Sequence, residues 1–240
     1  MISIIIPTRN EEKWLPATLQ AIKSKLHRPY EIIVSDGASQ DKTVAVAKSF
    51  GAKVIEHTAP HKQTIAEGRN MGGTAAHGDI LLFLDADCEI QKPNQFYDTV
   101  REAFEKDPDL VAIAPILWIS PENATLLDTI IFGIINNWFI FANDYLHFGI
   151  APGECQIVRK KAFQELGGYR TDLVAAEDAD FFFRLSRKGK ARMIRTLAVH
   201  HTGRRIHKLG WPKLLSQWAL NYFSLVFRGK SATSEWVPVR

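Results

Sequence analysis

Short apolar segments alternate with amphipathic segments through the first half of the chain, and this alternation limits the possible folds more than any other feature. Four runs of strand length are apolar, at residues 2–6, 31–35, 53–56 and 80–84. The segments between them have the apolar spacing of helices, at residues 11–24, 42–50 and 65–76. Such alternation predicts an α/β fold in which helices flank a mostly parallel central sheet with right-handed crossovers.

Carboxylates follow these strands where open α/β sheets bind ligands. The run 80–84 leads directly into Asp85-Ala86-Asp87, and the run 31–35 leads into Asp36. Residues 7–11 follow the first strand, so three strand ends meet at one edge of a parallel sheet. Two carboxylates this close repel each other, and a divalent cation relieves the repulsion. Hard oxygen ligands favour Mg²⁺ or Mn²⁺ at this edge.

The charge distribution divides the chain near residue 184. Residues 1–183 have a net charge of −8, whereas residues 184–240 contain thirteen Lys and Arg residues and one acid, Glu235. The second segment therefore has a net charge of +12 before any histidine is protonated. A basic segment of this kind predicts contact with phosphate, in a nucleotide, a phospholipid surface or a nucleic acid.

Length and composition bound the domain organisation and the compartment. A chain of 240 residues that is 46% apolar fits one domain with an elaborated end. Its two cysteines, Cys88 and Cys155, are too few for a disulfide framework and favour a reducing cytosol. No signal peptide is visible, and we expect no apolar run long enough to span a bilayer. The expected location is therefore cytoplasmic.

Two segments of the second half have amphipathic helical spacing. Apolar pairs recur every four positions in residues 126–141, and residues 213–228 place Leu214, Trp218 and Tyr222 on one face. In one interpretation both helices pack on the core. In the other they form a peripheral membrane contact, because the second helix is rich in aromatic residues and has basic residues at both ends.

Several common catalytic motifs are absent from the sequence. No Gly-x-Gly-x-x-Gly follows a strand, no Cys and His residues have zinc spacing, and no Gly-x-Ser-x-Gly occurs. Polar groups instead cluster twice in the second half. Glu177 and Asp178 precede a helical run, and His200, Arg204 and Arg205 share one short segment. Imidazole is a common metal ligand, and arginine binds phosphate oxygens.

Five segments occur in the order typical of the family 2 glycosyltransferases with the GT-A fold. They are Pro7-Thr8-Arg9-Asn10-Glu11, the segment 32–43 with Asp36-Gly37, Gly68-Arg69-Asn70 with Gly72, Phe83-Leu84-Asp85-Ala86-Asp87, and Gly167-Gly168-Tyr169 followed by Glu177-Asp178. The chain resembles this family over about residues 1–205. The resemblance implies a GT-A nucleotide-diphospho-sugar transferase domain with a nucleotide-binding half at 1–118 and an acceptor half at 119–205. A basic amphipathic extension follows at 206–240, with a candidate role in membrane association.

The resemblance also implies roles for individual residues. The nucleotide sugar would contact Pro7, Thr8, Glu11, Asp36, Arg69 and Asp85. Asp87 would bind the Mg²⁺ or Mn²⁺ that bridges the diphosphate, and His200 would complete the metal shell. Asp178 would be the general base. Arg204 and Arg205 would offset negative charge on the leaving group.

The implied reaction is an inverting, metal-dependent transfer of a sugar from a UDP- or GDP-linked donor. The acceptor would be a hydroxyl or phosphate of a glycan or of a polyprenyl or other lipid-linked molecule, and no nucleic-acid partner is expected. The chain lacks the Gln-x-x-Arg-Trp signature of the processive synthases in this family, which favours a single transfer. Two alternatives stay open: a nucleotidyltransferase that acts on a sugar phosphate, and an inactive module that binds sugar nucleotides. The location would be the cytoplasm or the cytoplasmic face of the membrane.

Overall fold

The computed structural model describes residues 1–233 of the chain. The first elements are β1 (Ile2–Thr8), α1 (Leu15–Lys25), β2 (Tyr30–Asp36), α2 (Thr43–Ser49), β3 (Lys53–Glu56), α3 (Ile65–Ala75), β4 (Ile80–Leu84) and β5 (Cys88–Ile90). From β1 to β4, strand and helix alternate as the sequence predicts.

The chain continues with longer and less regular elements. They are α4 (Pro93–Lys106), β6 (Leu110–Ile119), α5 (Leu126–Asp144), β7 (Cys155–Arg159), α6 (Lys160–Glu165), α7 (Glu177–Ser186), β8 (Lys190–His201), α8 (Arg204–Leu209) and α9 (Trp211–Arg228). The strands form one sheet in the order β3-β2-β1-β4-β7-β6-β8-β5. The predicted α/β fold is therefore confirmed.

The sheet is parallel in its first half and mixed in its second. The strands β3, β2, β1 and β4 are parallel to one another. The next strand, β7, is antiparallel to both β4 and β6. Thr8 at the end of β1 pairs with Asp36 at the end of β2, so these two strand ends are level.

The short strand β5 forms the far edge of the sheet, although it follows β4 closely in the chain. Three residues separate β5 from β4 in the chain, yet β5 pairs with β8, with Cys88 opposite His201. The last residues of β8 therefore lie beside Asp87. This pairing brings two distant sequence segments together at one strand end.

Apolar side chains fill both sides of the sheet. Ile4 packs on the side that includes Leu214 of α9, and Ile5 packs on the side that includes Phe163 of α6 and Phe181 of α7. Successive residues of a strand point to opposite sides, so a strand covered on both sides is apolar throughout. This explains why β1 and β4 read as continuous apolar runs.

Polar side chains on the inner side of α5 hold this helix against the body of the protein. Asn136 donates to the Leu117 carbonyl at 3.0 Å and accepts from the Leu117 amide at 3.1 Å. Asp128 accepts a hydrogen bond from Trp211 Nε1 at 2.6 Å, which joins the start of α5 to the start of α9. Both helices that the sequence predicts in this part of the chain are present.

The outward sides of α5 and α9 expose large apolar side chains, and we call this surface the apolar face. It consists of Leu126, Leu127, Ile130, Ile134, Trp138 and Phe141 of α5, then Tyr145, Leu146 and Phe148, and Leu215, Trp218, Leu220, Phe223, Val226 and Phe227 of α9. Apart from Met1, Ile65 and Phe183, every large apolar side chain that is exposed within residues 1–233 belongs to this face.

The helix α5 corrects one expectation from the sequence. By length and composition alone it is long and apolar enough to cross a membrane, with a mean hydropathy of 1.4, although we expected no such run. About a third of it, 33%, is buried inside the protein. The predicted extension 206–240 contains most of α8 and all of α9, and its last residues lie outside the described part of the chain.

Candidate active site

A cavity of about 1020 Å³ lies at the carboxyl ends of β1 and β4. Its lining includes most of the residues predicted from the sequence: Pro7, Thr8, Glu11, Arg69, Asp85, Asp87, Asp178, Arg204 and Arg205. Asp36 and His200 are not in the lining. Side chains from five segments of the chain therefore meet in one place, at the edge where an open α/β sheet binds ligands.

Asp36 lies beneath this lining and fixes the loops around it. The residue is buried, and its carboxylate accepts hydrogen bonds from Thr8 Oγ1 at 3.0 Å and from the Ser39 amide at 2.8 Å. Ala38 between them has a left-handed φ of 59°. These hydrogen bonds tie β1 to the loop after β2. The contact of Asp36 with the nucleotide stays a prediction.

Arg69 of α3 is a buried cation that joins the two halves of the chain. Its side chain is 4% exposed and donates to Glu177 Oε1 at 2.8 Å, to the Gly153 carbonyl at 2.7 Å and to Asp85 Oδ1 at 3.4 Å. A buried charge is stable only when partners of this kind surround it. Arg69 therefore holds the start of α7 and the loop before β7 against the end of β4.

Three carboxyl groups around this arginine have raised pKa values. Burial is the main cause, and nearby carboxylates add to it: the pKa of Asp85 rises to about 6, that of Glu177 to about 7 and that of Glu154 to about 8. Asp85 faces the cavity with 35% of its side chain exposed. Solvent screens its charge there, so burial raises the pKa of Asp85 less than full burial would. A positive charge placed beside these three carboxyl groups would therefore stabilise their ionised forms.

Arg204 connects two of the acids across the cavity. Its guanidinium donates to both oxygens of Glu11, at 2.8 and 2.9 Å, and its Nε lies 3.1 Å from Asp87 Oδ2. Thr202 Oγ1 donates to the same Asp87 oxygen at 2.5 Å. Bidentate contacts between arginine and carboxylate are strong and directional. The start of α8 is therefore fixed to the ends of β1 and β4.

The carboxylate oxygens of Asp85 and Asp87 fit a divalent cation whose coordination shell is completed by the substrate. Asp85 and Asp87 supply hard carboxylate oxygens at one strand end. Within residues 1–233, no group of three or more His, Cys, Asp and Glu side chains is arranged to hold a metal alone. Mg²⁺ is commonly bound through one or two carboxylates, with phosphate oxygens and water in the remaining positions. The side chains present fit that pattern.

Of the two adjacent histidines, His201 lines the cavity and His200 does not. The two are neighbours in β8, so their side chains point to opposite sides of the sheet. His201 lines the cavity, with its ring centre 5.4 Å from that of Phe132, whereas His200 pairs with Glu89 of β5. Burial lowers the pKa of His201 to about 4, and its buried Nε2 has no hydrogen-bond partner within the described residues. The Nδ1 atom of His201 accepts a hydrogen bond from the Gly203 amide at 3.2 Å. His201 is therefore the histidine of this pair that the structure brings into the cavity, and the metal contact of His200 stays a prediction.

Asp178 stands at the start of α7 with its carboxylate close to the loop before β7. Oδ1 accepts a hydrogen bond from the Ala179 amide at 2.9 Å. Oδ2 packs against Gly153, where an added Cβ would lie 2.1 Å from it. Ala176, the residue just before α7, has a left-handed φ of 62°. The absence of a side chain at Gly153 thus makes room for the carboxylate of Asp178 in the cavity lining.

The other end of the cavity is apolar. It is lined by side chains of β6, α5, α9 and the loops near them: Leu117, Phe132, Ile135, Phe139, Ile150, Val174, Leu214, Leu215, Trp218, Tyr222 and Phe223. One cavity therefore joins a charged end at the sheet to an apolar end between two helices.

Four residues of the site were not predicted: Gly153, Glu154, His201 and Thr202. Gly153 and Glu154 precede β7, a strand of five residues that we did not recognise because its neighbours in the sheet are distant in sequence. His201 ends β8 and Thr202 follows it. The choice between the adjacent histidines depends on which side of the strand faces the cavity. The sequence shows two adjacent histidines, but it does not show which of them the register of β8 turns toward the cavity.

Comparison with known proteins gives a family match and several relatives. The model of the glycosyl transferase family 2 matches residues 3–167. The 4,4'-diaponeurosporenoate glycosyltransferase of Staphylococcus haemolyticus is 40% identical over 119 residues, which cover 48% of this chain and 32% of that protein. The chain thus spans about a third of the length of this relative.

Solved structures share the fold at low sequence identity. The mannosyltransferase PcManGT from Pyrobaculum calidifontis, in complex with GDP-Man and Mn²⁺, matches with a TM-score of 0.75 and 18% identity, over 95% of this chain and 64% of that one. TarS 1–349 of S. aureus, in complex with UDP-GlcNAc, matches with a TM-score of 0.65 and 15% identity, over 94% of this chain and 73% of that one. These matches show the GT-A fold.

Proposed function

Because the chain belongs to the glycosyl transferase family 2, we propose that it transfers a sugar from a nucleoside diphosphate sugar to an acceptor. One observation supports this most strongly: Asp85, Asp87 and Asp178 line the same cavity, although Asp178 follows Asp87 by almost a hundred residues. The first two acids suit the donor side, and the third suits the acceptor side. The donor is UDP- or GDP-linked in this proposal.

The donor would occupy the charged end of the cavity. Pro7, Thr8 and Glu11 line it at the end of β1, and Arg69 and Asp85 line it beside β4. GDP-Man is bound by PcManGT and UDP-GlcNAc by TarS, which supports a donor of this class here. Arg204 and Arg205 place positive charge at the same end, where a diphosphate needs it.

The proposed cofactor is Mg²⁺ or Mn²⁺, and the presence of Mn²⁺ in the PcManGT complex supports it. Asp87 would hold the metal, with Asp85 and His201 beside it. A bound divalent ion offsets the negative charge that develops on a leaving diphosphate. Arg204 adds a second positive charge there, since its Nε is already 3.1 Å from Asp87 Oδ2.

Asp178 would act as the general base of an inverting displacement. The acceptor oxygen attacks the anomeric carbon while the bond from that carbon to the diphosphate oxygen breaks. The proton of the acceptor hydroxyl passes to the Asp178 carboxylate, and the nucleoside diphosphate leaves with the electron pair. Gly153 and the Ala179 amide orient this carboxylate, and its position in the cavity lining gives it access to an acceptor.

The acceptor in this proposal is a hydroxyl or phosphate group of a glycan or of a lipid-linked molecule. The apolar end of the cavity supports the lipid-linked class, because its eleven apolar or aromatic lining residues suit a hydrocarbon chain better than a polar glycan. A protein that meets such an acceptor would lie in the cytoplasm at the face of a membrane, in contact through 126–141 and 213–228. The basic charge of the C-terminal segment supports this location.

Nucleotide binding and product analysis together test the proposal. We expect UDP- or GDP-sugars with Mn²⁺ to raise the Tm, because a ligand that binds only the folded state stabilises it. Turnover should release a nucleoside diphosphate, whereas release of pyrophosphate would indicate nucleotidyl transfer instead. Ligand binding without any product across many acceptors would indicate an inactive binding module.

The Asp178→Asn variant tests the role of the base. It should reduce turnover by about 10²–10⁴-fold while donor affinity stays within about twofold of that of the wild type. Asp109→Asn makes the same chemical change at an exposed carboxylate outside the cavity lining and should leave turnover unchanged. Wild-type turnover in Asp178→Asn would contradict the assignment of the base.

A further inference from the structure

The apolar end of the cavity opens onto the apolar face. Leu215, Trp218 and Phe223 of α9 line the cavity and are also 40%, 36% and 56% exposed to solvent. Phe139 of α5 lines the opposite wall. Because the same side chains belong to the cavity and to the outer surface, a molecule can pass from that surface into the site between the two helices.

The opening lies between two helices that are connected on both sides of it. At their starts, Trp211 Nε1 donates to Asp128. Farther along, the ring centre of Phe148, just after α5, lies 6.3 Å from that of Tyr222 in α9. Contacts near both ends make the opening a feature of the folded protein rather than a gap at a chain terminus.

The charges on the α9 side of the apolar face suit an anionic surface. After His201 the described chain contains no Asp or Glu residue, and Lys208, Lys213, Arg228 and Lys230 are exposed. Anionic phospholipid headgroups attract basic residues placed beside an inserted apolar surface. A second protein molecule of this sequence would present the same positive charges and would be repelled.

The inner contacts of α5 favour a helix that lies along the bilayer surface rather than across the bilayer. Asn136 exchanges two hydrogen bonds with the backbone of Leu117 in β6, and Asp128 is buried. A helix tied to the sheet in this way presents only its outer side. Interfacial helices insert that side to a depth of about 5–10 Å.

We propose that the apolar face inserts into the surface of an anionic phospholipid bilayer, and that the acceptor is a membrane lipid whose hydrocarbon tail enters the cavity between α5 and α9. This inference rests on the proposed glycosyl transfer and names the acceptor class for it. The tail lies against Phe139, Leu215 and Trp218, and the polar group of the lipid faces Asp178. The tail extends from the cavity directly into the bilayer, so the lipid reaches the site without crossing water.

Vesicle flotation tests the membrane part of this inference. The wild-type protein should float with vesicles of phosphatidylcholine and phosphatidylglycerol at low salt, and at least tenfold less should float with phosphatidylcholine alone. The double variant Leu220→Glu with Phe227→Glu should lose at least tenfold in binding, because both side chains belong to the apolar face and neither lines the cavity.

A matched control adds the same charge elsewhere. Gln20→Glu with Ala45→Glu, both exposed on α1 and α2, should float like the wild type. Equal loss in both double variants, or no flotation of the wild type with anionic vesicles, would overturn the inference. A wild-type dimer that the Leu220→Glu, Phe227→Glu variant converts to a monomer, without vesicle binding, would assign the face to a second copy instead.

The acceptor part is tested with decyl phosphate below its micelle concentration and with inorganic phosphate. Decyl phosphate should raise the Tm of the wild type more than inorganic phosphate does. Ala219→Trp should remove that difference, because Ala219 lines the cavity, while Ala17→Trp on the exposed surface of α1 should retain it. Equal shifts with both phosphates would overturn the tail site.

The two proposals fail in different ways. Donor binding with Mn²⁺ is measured without lipid, so a protein that binds UDP- or GDP-sugars but no vesicles contradicts the membrane inference alone. A protein that binds vesicles but neither nucleotide sugar contradicts the proposed glycosyl transfer.

Discussion

The charged and apolar ends of the cavity are stabilised by opposite means. At the charged end, almost every side chain has a defined polar partner: Arg69 bonds to three groups, and Arg204 bonds to Glu11 and Asp87. At the apolar end, α9 presents Trp218 and Phe223 to solvent with few polar contacts. The charged end is held by directional bonds at strand ends, and the apolar end by two helices on the outside of the sheet.

This difference corresponds to two kinds of ligand. A phosphate group needs fixed charges, because each misplaced charge in a site of low dielectric is costly. A hydrocarbon tail needs only an apolar wall, since its burial depends on area and not on direction. We therefore expect substitutions at the charged end to lower the unfolding free energy or the turnover strongly. Substitutions on the apolar face should change the unfolding free energy little.

The largest effect is expected from Arg69→Met. Removal of this buried cation leaves Glu177 and Asp85 without their opposite charge, and loss of one partner of a buried pair costs about 3–5 kcal/mol of unfolding free energy. Urea denaturation measures the loss. Arg101→Met, which removes an ion pair with the exposed Glu105, should cost less than about 1 kcal/mol. Similar losses of unfolding free energy in the two variants would show that the buried ion pairs of the charged end stabilise the fold no more than a surface ion pair does.

Gly153→Ala should separate chemistry from binding. The new Cβ would lie 2.1 Å from Asp178 Oδ2, so the carboxylate has to move, and a displacement of about 1 Å costs about 10²-fold in turnover. Donor affinity should stay within about twofold of that of the wild type. Gly133→Ala in α5 is the control, because its Cβ would meet only Trp118 at 4.0 Å. Unchanged turnover in Gly153→Ala would show that this glycine does not position the base.

Acid should weaken the connection between α5 and α9. Burial alone would raise the pKa of Asp128, but hydrogen bonds from Thr125, Trp211 and His207 outweigh it and lower this pKa from 3.8 to about 2. The contribution of Asp128 to stability is therefore present above pH 4 and is lost as the pH falls from about 4 to 2. Urea denaturation as a function of pH should show the wild type approaching Asp128→Ala in that range. A constant difference down to pH 2 would contradict the lowered pKa.

The smallest effect is expected from alanine on the apolar face. Leu220→Ala and Phe227→Ala should each change the unfolding free energy by less than about 0.5 kcal/mol, since both side chains are largely exposed. Leu214→Ala in the same helix should cost about 2–5 kcal/mol, because Leu214 is buried in the core. Equal losses would mean that the face already packs against protein.

The first half of the fold was predictable because its signals are local. Each strand from β1 to β4 is a short apolar run followed by a helix with regular spacing, and a parallel sheet needs little more. The segments β5, β7 and β8 were missed for a different reason. β5 has only three residues, and all three strands pair with partners far away in sequence.

The same limit applies to the site. Asp85 and Asp87 were predictable because a strand end is visible in sequence and its place in an α/β sheet is known. The choice of His201 over His200 depends on strand register, which one residue reverses. The place of Asp36 beneath the lining depends on a loop that folds back onto Thr8.

The pairing of β5 with β8 has a consequence for how the chain is made. The acids at the end of β4 leave the ribosome more than a hundred residues before Thr202 and Arg204, which hydrogen-bond and pair with Asp87. During most of synthesis these carboxylates have no partner from α8, and the edge of β5 has no neighbour. Closure of the site is thus a late step, and contacts of such long sequence separation slow folding. A nascent chain that stops before residue 204 contains Arg69, the partner of Asp85, but carries Glu11 and Asp87 without Arg204.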